Sequence, residues 1–133
     1  MQNANKHIIV CDDCAVNCFL IQTMLEIEGY QVDTATSGNA VLAKIEFERP
    51  DLLLLDVTMP DIDGYEVVRR IQQNKTLQSL PILMITGHEE EFIEEKLQEK
   101  VVGIIRKPVT IDLLVKKVQA ALQLDLPLQK SMA

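Results

Sequence analysis

Five polar residues stand where short apolar runs stop, and their types suit phosphoryl chemistry. "HIIVC" gives way to Asp12 and Asp13, "DLLLLD" ends on Asp56, "PILMIT" on Thr86 and "VGIIRK" on Lys107. Three carboxylates brought together repel one another, so either one takes a proton or a cation joins them. Hard oxygen donors with a loose coordination count suit Mg2+, which keeps waters and accepts a phosphate oxygen. A lysine adds one compact positive charge for an anion, and a threonine adds a neutral hydroxyl donor. An aspartate in that company can itself be the nucleophile and carry an acyl phosphate.

Taken singly, each residue also has a plain structural reading. Asp12 or Asp13 suits a helix cap, Asp56 a turn residue before Met59 and Pro60, Thr86 a strand-end hydroxyl, and Lys107 a solvated strand end. Their joint occurrence at strand ends points to a site. Asp61 and Asp63, just beyond, read as solvated loop acids.

The elements that must position these residues follow from periodicity. Residues 7–11, 31–36, 51–56, 81–86 and 102–107 are short apolar or alternating runs, as in strands of a buried parallel sheet. Residues 15–28 carry Leu20, Ile21, Met24 and Leu25 as an apolar stripe, and Gly29 follows as a stop. Residues 38–48 follow Ser37 as N-cap. Residues 64–74 hold Val67, Val68 and Ile71, and residues 89–99 open with glutamates that favour a helix N-terminus. Residues 111–123 follow Thr110 as cap and carry Leu113, Leu114, Val118 and Leu122. Five βα units in succession imply a doubly wound α/β sandwich. In such sheets ligands bind outside the carboxyl ends of the strands, which is where all five polar residues fall.

Composition narrows the class. The 133 residues fit one domain, and 47% hydrophobic content supplies a core. No apolar run approaches membrane-spanning length, and the first residues lack a signal-peptide h-region. The chain is therefore expected to be cytoplasmic, without a membrane partner. With 13 basic and 20 acidic residues the net charge is −7, which argues against direct DNA binding. Cys11, Cys14 and Cys18 include a C-x-x-C spacing, but the intervening aspartates oppose a thiolate, and two histidines offer little for zinc.

At "VCDD" (10–13), "LLLLDVTMPDIDGYE" (52–66), "ILMITG" (82–87) and "RKP" (106–108), the sequence resembles the receiver (CheY-like) domain of two-component response regulators. The resemblance covers residues 7–123, with 1–6 as an N-terminal extension and 124–133 as a short tail. It implies a flavodoxin-like, CheY-like sheet of order 2-1-3-4-5 with five helices. It further implies that Asp56 is the phosphoacceptor. Mg2+ (or Mn2+) would be held by Asp13, Asp56 and the Thr58 backbone carbonyl, with Asp12 reaching it through water. Lys107 would pair with the phosphoryl oxygens, and Thr86 would move to bond one of them. The implied donor is the phosphohistidine of a histidine kinase or phosphotransfer protein. The downstream protein target is unknown, and the expected role is a single-domain regulator that catalyses only its own phosphorylation and dephosphorylation.

Two departures from the family pattern stand out. Ile104 replaces the usual strand-5 aromatic, and "LQEKVVG" replaces an Ala-Gly pattern. The resemblance places Thr58 and His88 at positions that tune dephosphorylation in the family. Phe19 lies off the apolar stripe of 15–28, and the resemblance makes it, with Val16, part of the phosphotransfer contact. A phosphatase would need a second acid near Asp56, where Thr58 stands instead. A flavodoxin-like cofactor binder would need a phosphate-holding first loop, which is missing here.

Overall fold

Alternate residues of the central apolar runs face opposite ways, so a run that is apolar throughout must be covered on both sides. The computed structural model, which describes residues 5–87 and 100–123, shows this arrangement. Strands β1 (His7–Cys11), β2 (Gln31–Ala35), β3 (Leu52–Asp56), β4 (Ile82–Thr86) and β5 (Gly103–Arg106) form one parallel sheet. Its order is β2-β1-β3-β4-β5, as expected. The described helices are α1 (Ala15–Ile27), α2 (Gly38–Phe47), α3 (Gly64–Gln73) and α4 (Ile111–Gln123). The fifth expected helix, 89–99, lies outside the described residues, as do His88 and the tail from 124. Most other boundaries differ from the expected ones by a single residue.

On one face, Ile9, Cys11, Leu53, Leu55, Ile82 and Met84 pack under α2 and α3. On the other, Ile8, Val10, Leu52, Leu54, Leu83 and Ile85 pack under α1 and α4. Leu52 to Leu55 are all 0% exposed. Burying each contributes about 2 kcal/mol, so β3 is anchored firmly enough to present a charge at its end.

Two helix ends match their sequence signals. Ser37 Oγ accepts from the Ala40 N–H at 3.1 Å. Gly29, with φ 99°, closes α1 in a double-bonded cap: its N–H donates to the Glu26 carbonyl and that of Tyr30 to the Leu25 carbonyl. Two stripe assignments need correction. Leu20 is 49% exposed and Leu113 38% exposed; the core-facing positions of α1 are Cys18, Ile21 and Leu25, and those of α4 are Leu114, Val118 and Ala121. The error arises because Leu20 and Leu113 each precede a core-facing residue by one position, 100° away around the helix.

Away from the carboxyl ends of the strands, His7 at the start of β1 is tied to both neighbouring segments. Asp51 Oδ2 accepts from the His7 N–H at 2.7 Å, and the His7 imidazole Nε2 lies 2.8 Å from Asp33 Oδ2.

Candidate functional site

The carboxyl edge of the sheet gathers the five residues. Asp56 is the last residue of β3 and Thr86 the last of β4. The paired register sets Asp56 beside Ile85, and the Val57 N–H bonds the Ile85 carbonyl at 3.1 Å. Asp12 directly follows β1, its N–H held by the Ala35 carbonyl at 3.1 Å. Lys107 directly follows β5, its N–H held by the Thr86 carbonyl at 2.8 Å. The ladder therefore brings together residues far apart in the chain.

Asp12 and Asp56 are buried and Asp13 is exposed, and each offers a carboxylate oxygen within 4.8 Å of the others. Lys107 Nζ reaches Asp56 Oδ2 at 2.9 Å and Asp12 Oδ2 at 3.5 Å. Burial alone would pull the Lys107 ammonium down. Its hydrogen bond to Asp56 and the charges of Asp56 and Asp12 outweigh this, and its pKa is raised. One lysine stands against three carboxylates, so the pocket keeps a negative surplus that a divalent cation would offset.

The remaining contacts fix orientation. Asp12 Oδ1 accepts from the Cys14 N–H at 2.9 Å, and Asn17 Nδ2 approaches Asp12 Oδ2 at 3.5 Å. Asp12 thus serves the start of α1 as well as the pocket, so its two readings are compatible. Cys14 occupies the N-cap position with no side-chain cap bond. Asp56 Oδ1 accepts from the Thr58 N–H at 3.3 Å. Thr86 is fully buried, and its hydroxyl has no hydrogen-bond partner among the described residues. An orphaned buried hydroxyl is costly, and here it lies at the edge where an incoming oxygen would supply the missing partner. Donor types, charge surplus and orphaned hydroxyl together fit a Mg2+-supported phosphoryl group.

Asp61 and Asp63 are exposed but not merely solvated. Asp61 accepts from the Gly38 and Asn39 N–H groups at the start of α2, and Asp63 caps α3 through the Glu66 N–H at 2.9 Å. The backbone donors, that of Asn39 foremost, hold the Asp61 carboxyl down at about 2. Sequence reasoning missed Asp61 because its partners lie more than twenty residues upstream. Asp63 did carry a signal, an aspartate three residues before Glu66 at a helix start.

Cys11 and Cys18 are accounted for by packing, while Cys14 is exposed. The Cys11 thiol donates toward Met59 Sδ at 3.1 Å, and the Cys18 thiol toward the Asp12 carbonyl at 3.3 Å. Burial raises the pKa of both thiols, with nearby charges adding to the rise in each, which disfavours thiolates there. At the other end of the site, Ile104 pairs with Met84 in the ladder and packs, half-buried, against the α2–α3 core.

Known proteins share this architecture. Residues 8–119 match the family model of the response regulator receiver domain. The chain is 44% identical over 100 residues to the alkaline phosphatase synthesis transcriptional regulatory protein PhoP of Bacillus subtilis. That match covers 75% of this chain but only 38% of PhoP. It is 29% identical over 118 residues to protein PilH of Pseudomonas aeruginosa, covering 86% of this chain and 96% of PilH. The crystal structure of a CheY-like receiver domain protein from Methanospirillum hungatei superposes with a TM-score of 0.75 at 28% identity, covering 84% of this chain and 89% of that one. With the acid pocket, the lysine and the threonine on the edge that the sheet order demands, the chain belongs to the response regulator receiver domains of two-component signalling systems.

Proposed function

We propose that Asp56 accepts a phosphoryl group from a phosphohistidine and that this modification changes which protein the chain binds. The observation that carries the reading is the close set of Asp12, Asp13 and Asp56 with Lys107 only 2.9 Å from Asp56. An Asp56 oxygen attacks phosphorus, the phosphorus–nitrogen bond of the donor imidazole breaks, and the imidazole leaves with the bonding pair. Asp13, Asp56 and the Thr58 backbone carbonyl would hold Mg2+ or Mn2+, with Asp12 acting through water. The ion would supply charge neutralisation at the phosphoryl oxygens.

Lys107 is already aimed at Asp56, so it can follow the charge outward onto the phosphoryl oxygens. Thr86 gains in the phosphorylated state the partner its hydroxyl otherwise lacks, which biases β4 and its surroundings toward that state. Water later attacks the acyl phosphate and returns Asp56 to the free carboxylate. The only reaction is thus on the protein itself.

The proposed donor is a cytoplasmic histidine kinase or histidine phosphotransfer protein, and the receiver unit is residues 7–123. The donor's contact is the exposed face of α1, where Val16 is 65% and Phe19 64% exposed beside Leu20. Among the described residues no helix is long and apolar enough to cross a membrane.

The test is intact mass after incubation with a small-molecule phosphodonor and Mg2+, for wild type and Asp56→Asn. A single added phosphoryl group that requires both Mg2+ and Asp56 is expected. A folded wild type that gains nothing overturns the reading.

A further inference from the structure

The stretch 57–63, between β3 and α3, carries Thr58 and has no regular structure of its own. Its nearest ties are short-range. The Gly64 N–H donates to the Val57 carbonyl at 2.7 Å, and the Thr58 N–H donates to Asp56 Oδ1 at 3.3 Å. Met59 is buried against the Cys11 thiol.

A further tie crosses to another element. Asp61 Oδ1 accepts from the Gly38 N–H at 3.0 Å, and Asp61 Oδ2 from the Asn39 N–H at 2.8 Å. Ile62 closes over the same spot, so that a Cβ at residue 38 would collide with the Ile62 side chain and meet its carbonyl oxygen at 3.0 Å. Glycine at 38 is what allows this approach.

Helix α2 already has a cap of its own, since Ser37 Oγ holds the Ala40 N–H. One side-chain cap is the usual provision for a helix start. A second cap, charged and delivered from the far side of β3, does more for the loop than for the helix. It fastens the segment that follows Asp56 to a rigid helix end, and the favourable field of that end strengthens the hold.

We infer that Asp61 is a positioning residue for the metal-dependent reaction. Clamped to the α2 N-terminus, it holds the 57–63 loop so that the Thr58 backbone is presented beside Asp56. The inference rests on the metal and phosphoryl chemistry proposed for Asp56. Because coupling is reciprocal, metal in the acid pocket also steadies the start of α2.

The rival is that Asp61 only caps a helix, and Ser37 separates the two ideas. Its side chain caps the same helix through the Ala40 N–H, and none of its described hydrogen bonds runs to the loop. Mn2+ binding would be measured by calorimetry for wild type, Asp61→Ala, Asp61→Asn, Ser37→Ala and Asp13→Asn. Asp61→Ala is expected to weaken Mn2+ about tenfold, in the range lost when a residue that orients a metal ligand is removed. Asp61→Asn, which keeps one acceptor oxygen, is expected to lose less, and Ser37→Ala to stay within about twofold of wild type. Amide exchange at Gly38 and Asn39 should slow when Mg2+ is added to wild type, a response a simple cap would not make. Wild-type affinity in Asp61→Ala, or an equal loss in Ser37→Ala, overturns the positioning role while leaving the site intact. A wild type with no Mn2+ binding that Asp13→Asn removes overturns the proposed function and this inference together.

Discussion

Asp13 is the exposed acid of the pocket, and Lys107 reaches Asp12 and Asp56 rather than Asp13. Its charge therefore adds repulsion without a described cation of its own. Asp13→Asn is expected to raise the melting temperature of the metal-free protein slightly, a small gain because the charge is exposed. The same change should weaken Mg2+ about tenfold or more. Thermal melts with and without Mg2+ check both halves, and a variant less stable than wild type without metal would contradict the repulsion picture. Lys107 works in the other direction. Its pKa is raised, so its contribution to stability is complete below the ordinary lysine value of 10.5 and is lost as pH rises through the higher folded value.

Among elements, β3 and α3 meet closely at Gly64. A Cβ on Gly64 would lie 2.6 Å from the Asp56 carbonyl oxygen and 3.0 Å from the Val57 Cα. Both are backbone atoms that cannot rotate away. Gly64→Ala must push α3 from the strand end, at about 1–3 kcal/mol. It should slow phosphorylation from a small-molecule donor by more than the stability loss accounts for, because Asp56 shifts with the strand. Phosphorylation rates measured well below the melting temperature check this, and a wild-type rate would show that the packing does not set the position of Asp56. At β5, Ile104 already packs on the core, so it offers no ring to swing inward. Under the proposed function, the ladder of β4 with β5 offers one route by which a shift at Thr86 would reach Ile104 and its neighbours.

For the whole molecule, the acid edge and the α1 face lie close together. Asn17, Leu20, Met24 and Lys107 line one groove of about 130 Å³ that runs from α1 to Pro108 and Val109. Val16, Phe19, Leu20 and Ile27 remain exposed along α1, a concentration of apolar surface uncommon for a free helix face. Phe19→Ala is expected to lower the rate of transfer from a phosphohistidine donor protein about tenfold, as for an aromatic anchor in an interface. The rate with a small-molecule donor should be unchanged. Equal rates with the protein donor would remove Phe19 from the contact.

Much of this molecule was legible in its residues. The unbroken apolar runs dictated strands buried on both faces, and their polar endings dictated which edge would carry chemistry, because local period and burial are properties of the chain itself. Ser37 and Gly29 marked helix ends for the same local reason. The tertiary structure alone decided the rest. It rotated Leu20 and Leu113 out of the core, a choice that depends on which neighbour each helix meets. It paired His7 with Asp33 at the far edge. It also carried Asp61 across to the start of α2, where two backbone donors made by another segment turned a loop acid into a clamp. No local pattern encodes a hydrogen bond between residues 22 and 23 positions apart; only the packing of β3 beside β1 brings those groups within reach.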